Sequence, residues 1–272
     1  MNGGADGVEK RSFAALRMTP GADRMTGEET HMGQSFFIWN GIDCRSMGIY
    51  LTGPAPIVRP EERVQHVQIP GVSGDLTQIE GENIYNSYIQ TVTLHVKNAY
   101  RVRDVYDWLR GAGYVTFSGE PDRKQRARII GAVTLNKFSR NIDTWIGECQ
   151  FYCQPLKERL TEETERVSQS GTEVLNLGDV AAHPLISCHA TDAGQDLQFT
   201  VGGEPFRVNM TGMADTGCVI DCAAQIVTNY AGSVDLTGLS TGKFPVLGIG
   251  KTVITFENGV SSLDILKRER FL

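Results

Sequence analysis

A chain of 272 residues in which 40% of side chains are hydrophobic and 21% charged can bury a core, and wholesale disorder is excluded. The formal net charge of −6 argues against a dedicated nucleic-acid binder, which shows a basic excess. No apolar run approaches the roughly 18 residues that span a bilayer.

In chain order, residues 1–32 come first and carry neither a helical nor a strand period. They read as a disordered or spurious extension. The only apolar piece, Phe13–Leu16, is far shorter than the roughly 7–15 residues at the centre of a secretory signal, so folding in a cytoplasm is expected. The wording "GEETHM" before Met32 permits purine-rich codons of the kind found upstream of bacterial start sites. Translation beginning at Met32 is therefore an expectation.

Residues 33–157 read as a mostly antiparallel β domain with one helix. "FFIWN-GI" ends at Asn40-Gly41, a pair that tolerates the positive φ of a two-residue hairpin turn. "MGIYL" reads as its return strand. Three prolines make Thr52–Glu62 an extended connector. "RVQHVQIPG" alternates imperfectly. "SYIQTVTLHVK" alternates cleanly, with Gln90, Val92, Leu94 and Val96 on one face. In "YRVRDVYDWLRG", Val102, Val105, Tyr106 and Leu109 form a helical stripe, and Gly111 sits where a glycine would end the helix. "GYVTFSG", "RIIGAVTLNKF" and "TWIGECQFYCQP" are further strands; in the last, Cys149, Phe151 and Cys153 share a face.

Residues 158–170 lie in a charged stretch, Leu156–Gly171, without an apolar stripe, and read as a linker or short exposed helix. Residues 171–272 read as all strands, a sandwich or barrel. Gly202-Gly203 and the tip Glu257–Gly259 read as hairpin loops. "GIGKT" (Gly248–Thr252) echoes a phosphate-binding loop. Pro245 stands where that motif needs glycine, and a strand rather than a helix follows.

Six cysteines in a chain without a secretory signal default to free thiols. The two C-x-x-x-C pairs, on strands, place their sulfurs about 13 Å apart, too far for a disulfide or a shared zinc. His66 and His95 read as solvated, and His183 and His189 find no converging partners. No catalytic, cofactor-binding or metal-ligating residue is assigned, no cofactor is expected, and the chain does not read as an enzyme.

The basic cluster Arg123, Lys124, Arg126 and Arg128 remains. Its neighbours carry a resemblance. "NGIDCRSMGIYLTGPAPIVRPEERVQHVQIPGVSGDLTQIEG", with its turn Ile69–Leu76, resembles the opening of the distal tail protein family of long non-contractile-tailed phages. Phe117, Ser118, Pro121, Asp122 and Arg123, followed by Ala127, Arg128 and Ile129, match that family's turn and strand. The basic residues then read as a turn plus the polar face of a strand. "NLGDVAAHPLI", "GGEPFRVN", "VIDC" and "GKFPVLGIGKTVITFENGVSSLDILKRERFL" are similar to its C-terminal domain. The likeness covers Gly33–Leu272, and this chain departs from it at Val72 and Cys222.

The resemblance implies a structural protein of the virion, assembled in the host cytoplasm. A homo-hexameric ring would be built by residues 33–157, with a galectin-like or carbohydrate-module-like sandwich (171–272) projecting outward. Partners would be the tail tube protein, the tail-tip protein and receptor-binding proteins. DNA would pass through the bore without specific binding. The connector Gly53–Gly74, with Ile57, Val58 and Ile69, is the candidate ring contact. A carbohydrate-binding module recognising host glycans is the alternative; the absence of Trp from the second half, with Tyr230 assigned to a core, weighs against it.

Overall fold

A computed structural model describes residues 35–79, 81, 83–97 and 102–272. The expectations for residues 1–32 lie outside the described residues. The chain is mainly β, with every sheet antiparallel and a single α-helix among the described residues.

The Asn40-Gly41 turn forms as expected, with φ of 51° and 81° joining β1 (Phe37–Trp39) to β2 (Ile42–Asp43). "MGIYL" is not the return strand. A 3-10 turn over Cys44–Met47 intervenes, ended by Gly48 in the left-handed region, and β3 (Ile49–Leu51) pairs with β6 (Tyr88–Lys97) instead. Two residues of β2 complete the hairpin, too few to show a period. The connector is strand-free, as its prolines require, apart from a bridge between Glu62 and Tyr85.

β4 (Val64–Gln68) and β5 (Asp75–Ile79) then form a separate two-stranded arm. Gly71 (φ 84°) and Gly74 (φ 94°) supply the left-handed positions of its tip. In β6 the predicted face is buried, and the Gln90 amide donates to the Pro56 carbonyl at 2.7 Å, which ties the connector down. The helix α1 (Val102–Trp108) buries Val105, and Leu109 just beyond its end is buried too. Gly111 has the expected positive φ (79°). Tyr106 departs from the expected stripe: it is largely exposed, and its hydroxyl accepts from the Leu135 N–H. Trp108, off the stripe, stacks on Phe37 instead.

β7 (Ala112–Phe117), β8 (Arg123–Ser139) and β9 (Ile142–Arg159) complete this half. The sheet order is β2-β1-β7-β8-β9-β6-β3. One apolar cluster fills it, with Phe37, Trp39, Leu94, Val105 and Phe151 fully buried.

The segment 158–170 is neither free linker nor helix. β9 runs through Arg159, and β10 (Thr164–Val167) pairs with β19 (Val260–Leu266), with Val167 buried in the second core. A single apolar anchor among charges leaves no readable pattern. Beyond it lie β11 (Thr172–Asn176), β12 (Leu185–Ala190), β13 (Asp196–Val201), β14 (Glu204–Asn209), β15 (Gly217–Asp221), β16 (Ile226–Asn229), β17 (Ser240–Gly242), β18 (Gly250–Phe256) and β20 (Arg270–Phe271). With β10 and β19, all of these but β20 make two five-stranded sheets, β10-β19-β12-β15-β16 and β11-β18-β13-β14-β17, around a second apolar cluster. This is the expected sandwich. Gly202-Gly203 closes a hairpin as read, with φ of 61° and 86°. Glu257–Gly259 does not: β18 and β19 belong to different sheets, so this tip crosses between them. The Gln198 N–H donates to the Asn258 carbonyl to hold it.

The chain end returns to the first half. β20 pairs with the end of β9, Arg270 opposite Glu158 and Phe271 opposite Lys157. The Lys157 ammonium meets Glu120 at 2.6 Å and the Leu272 carbonyl at 3.2 Å. Arg159 meets Glu269 at 2.6 Å, and the other oxygen of Glu269 accepts from the Leu177 N–H. The guanidinium of Arg123 lies over the Phe271 ring at 4.1 Å. Only 6% of the Lys157 side chain is exposed, and an ammonium buried without its carboxylate is costly. We expect Glu120→Ala to lower stability by about 3–5 kcal/mol in urea denaturation, and the joint replacement Glu120→Leu/Lys157→Met to restore most of it. Equal loss in both variants would contradict this.

Candidate assembly surface

Apolar side chains that belong in a core stand outside one on the β4–β5 arm. Val72 is 62% exposed, Leu76 56% and Ile79 62%, with Val67 and Ile69 also exposed. The arm has only two strands, and its side chains stay largely exposed among the described residues. Two strands alone are marginal in water. Scattered surface apolar residues are ordinary, but here Val67 and Leu76 stand opposite each other on one face, with Ile79 on the other, and such clustering marks a contact surface. Ile57 of the connector is exposed beside Gly119. Val58, expected to share that role, is half-buried and lines a small cavity with Tyr88 and Phe117. A second exposed apolar pair, Phe138 and Ile142, sits at the turn between β8 and β9.

The basic stretch divides. All four basic residues lie on β8. Arg123 pairs with Glu120 at 2.8 Å and Lys124 with Glu158 at 3.7 Å. Gln125 and Ala127 alternate inward, while Arg126 and Arg128 are exposed. The strand reading holds, though the turn lies before Arg123 rather than within the cluster.

The histidines separate as well. His66 is exposed beside Thr77, and His95 is half-buried opposite Tyr50. His183 is half-buried; burial first, then the charge of Arg270, lowers its pKa. His189 does have converging partners, contrary to the sequence reading. Its Nε2 lies 2.8 Å from Asp264 Oδ2 and its Nδ1 2.8 Å from the Tyr230 hydroxyl. Arg166 approaches the other Asp264 oxygen at 3.8 Å. These residues come from β10, β19 and β12 and from just beyond β16, so pairing across one sheet assembles them. Tyr230 is not a core residue: it is 39% exposed and packs over Gly217, where any Cβ would meet its hydroxyl at 2.3 Å. Sequence order scatters the four over 99 positions, and no local signal could have joined them.

"GIGKT" enters β18 directly, with no helix. Among the described residues no group of three metal-ligating side chains converges. All six thiols are free and buried. Cys188 lies opposite Cys218; their mutual hydrogen bond, then burial, raises the Cys188 pKa. Burial pushes Cys149, Cys153 and Cys222 up to about 12, and Cys44 to about 11.

No family model matches the chain, and no curated protein matches it either. The architecture nevertheless has a counterpart among phage tail proteins. It matches the crystal structure of the Dit protein (gp 19.1) of phage SPP1, described as a paradigm of the hub adsorption apparatus in phages that infect Gram-positive bacteria. The TM-score is 0.70 at 18% identity, over 88% of this chain and 99% of that one. The likeness is one of fold.

The raised thiols bear on stability at high pH. The folded form keeps thiol protons that the unfolded chain releases from about pH 9. That stabilisation is complete below pH 9 and is lost as pH rises toward 12. The melting temperature should therefore fall steadily above pH 9, and native thiols should resist alkylation at pH 8 until denaturant is added. Rapid alkylation of Cys149 or Cys153 in the native protein would contradict this.

Proposed function

We propose that the chain is a structural hub of a phage tail tip. Six copies form a ring at the distal end of the tail tube, join it to the tail-tip and receptor-binding proteins, and let DNA through the bore. Residues 33–157 form the ring, and residues 171–272 project from it as a separate sandwich domain. The protein acts by assembly, in the virion, after folding in the host cytoplasm.

The observation that carries this reading is the uncovered arm, on a fold shared with a hub protein. A closed ring needs two different patches on every subunit, one for each neighbour. Val67 and Leu76, paired across the arm, share one of its faces and Ile79 lies on the other, on an element with no residue in either apolar cluster. Burying them against a neighbour would contribute about 1.5–3 kcal/mol for each large side chain fully covered. The two separate apolar clusters support the division of labour between the halves.

A second reading has one favourable observation. Tyr230, His189, Asp264 and Arg166 present an aromatic ring and several polar groups on the sandwich's outer face, the equipment of a sugar site. A glycan array tests it: binding abolished by Tyr230→Ala would favour host-glycan recognition.

For the ring, Leu76→Asp/Ile79→Asp should leave circular dichroism and melting unchanged, since both residues are already in water. The variant should elute as a monomer in light-scattering chromatography where the wild type is a larger ring. Unaltered assembly in the variant would remove the arm from the contact.

A further inference from the structure

Two arginines of the basic stretch have no use in the fold. Among the described residues, neither Arg126 nor Arg128 has an ion-pair partner. They line an open cleft of about 550 Å3 together with Arg270, Tyr152, Pro155 and Leu156. The only carboxylate in its wall, Glu158, faces Lys124 at 3.7 Å. Three like charges in one cleft repel each other, and among the described residues one carboxylate, already facing Lys124, stands against them.

The cleft arises from a break in the sheet. Gln125 pairs with Lys157, but Ala127 pairs with Cys153. Gln154, Pro155 and Leu156 therefore stand opposite the single residue Arg126. Proline cannot donate to the ladder, and such bulges re-aim side chains. The Gln125 amide donates to the Gln154 carbonyl and to the Tyr88 hydroxyl, so the bulge is held rather than loose. β20 then brings Arg270 beside the end of β9.

We infer that this cleft is a docking site for an extended acidic segment of a partner protein, one with carboxylates at alternate positions. Arg126 and Arg128 lie two residues apart on one strand face, about 6.8 Å. An extended peptide presents same-side carboxylates at the same repeat. Guanidinium forks match carboxylates in a bidentate manner and are weakly hydrated, so they suit interfaces. The wall is also apolar at Tyr152, Pro155 and Leu156, which alternate apolar residues of a peptide could cover. A phosphodiester backbone has the charge but no such groups to bury. The site is independent of the ring: it stands or falls whether or not six copies assemble.

The test uses the full chain and a fluorescently labelled, acetylated peptide alternating Glu and Val. Anisotropy at low salt should show saturable binding, absent for the matching Lys-Val peptide. Arg126→Gln/Arg128→Gln should weaken it about tenfold or more, with an unchanged circular dichroism spectrum. Tyr152→Ala should weaken peptide binding without affecting any binding of a thymidine oligonucleotide. No peptide binding, or binding unaltered by the arginine substitutions, would overturn the inference. So would tighter, arginine-dependent binding of the oligonucleotide, which would assign the cleft to a phosphate polymer. Should the double variant fold poorly, Arg270→Gln gives the same comparison.

Discussion

The junction where β20 joins the end of β9 is the constraint on which the described architecture rests. Near its far end β9 pairs with β8 on one side and β20 on the other, so one strand carries bonds to both halves. The covalent path leaves β9 for β10 only a few residues later. The sandwich is thus attached to the first sheet at the start and the end of its own sequence. Two ion pairs lock the junction, Lys157 to Glu120 and Arg159 to Glu269. The Lys157 pair is the more buried of the two, and a buried pair adds little net stability compared with apolar substitutes. The lock fixes how the sandwich joins the first sheet.

Charge and apolar surface are distributed accordingly. Each half closes its own core, with aromatics on aromatics in the first and a sandwich interior in the second. Exposed apolar side chains are spread over both halves, and those of the arm stand on an element that contributes to neither core. Burial raises the pKa values of Cys44, Cys149, Cys153 and Cys222, which disfavours the reactive thiolate. The polar network of Tyr230, His189, Asp264 and Arg166 crosses the face of one sheet and ties its strands together.

Much of this could be read from the residues, and what could not has a physical reason. Clean alternation placed Gln90, Val92, Leu94 and Val96 inward, and Asn40-Gly41, Gly71, Gly74 and Gly202-Gly203 marked turns by their need for positive φ. Pairing partners were another matter. β3 joins β6 across about 40 residues of chain, and nothing local to "MGIYL" says so. Glu257–Gly259 looks like a hairpin because turn chemistry is local, whereas passing to the other sheet depends on the whole sandwich. β10 has one apolar anchor, Val167, too little to outweigh the six glutamates and arginines of residues 158–170. The outer-face network and the arginine cleft arise only when strands from distant segments lie side by side. Net charge describes the whole chain and says nothing about a single cleft.

The central claim is assembly into a closed ring by an otherwise uncovered arm. Negative-stain electron microscopy of the purified wild-type chain tests it most directly. The account predicts class averages with sixfold symmetry and an open centre. Particles of single 29.9 kDa chains at every concentration examined would contradict it.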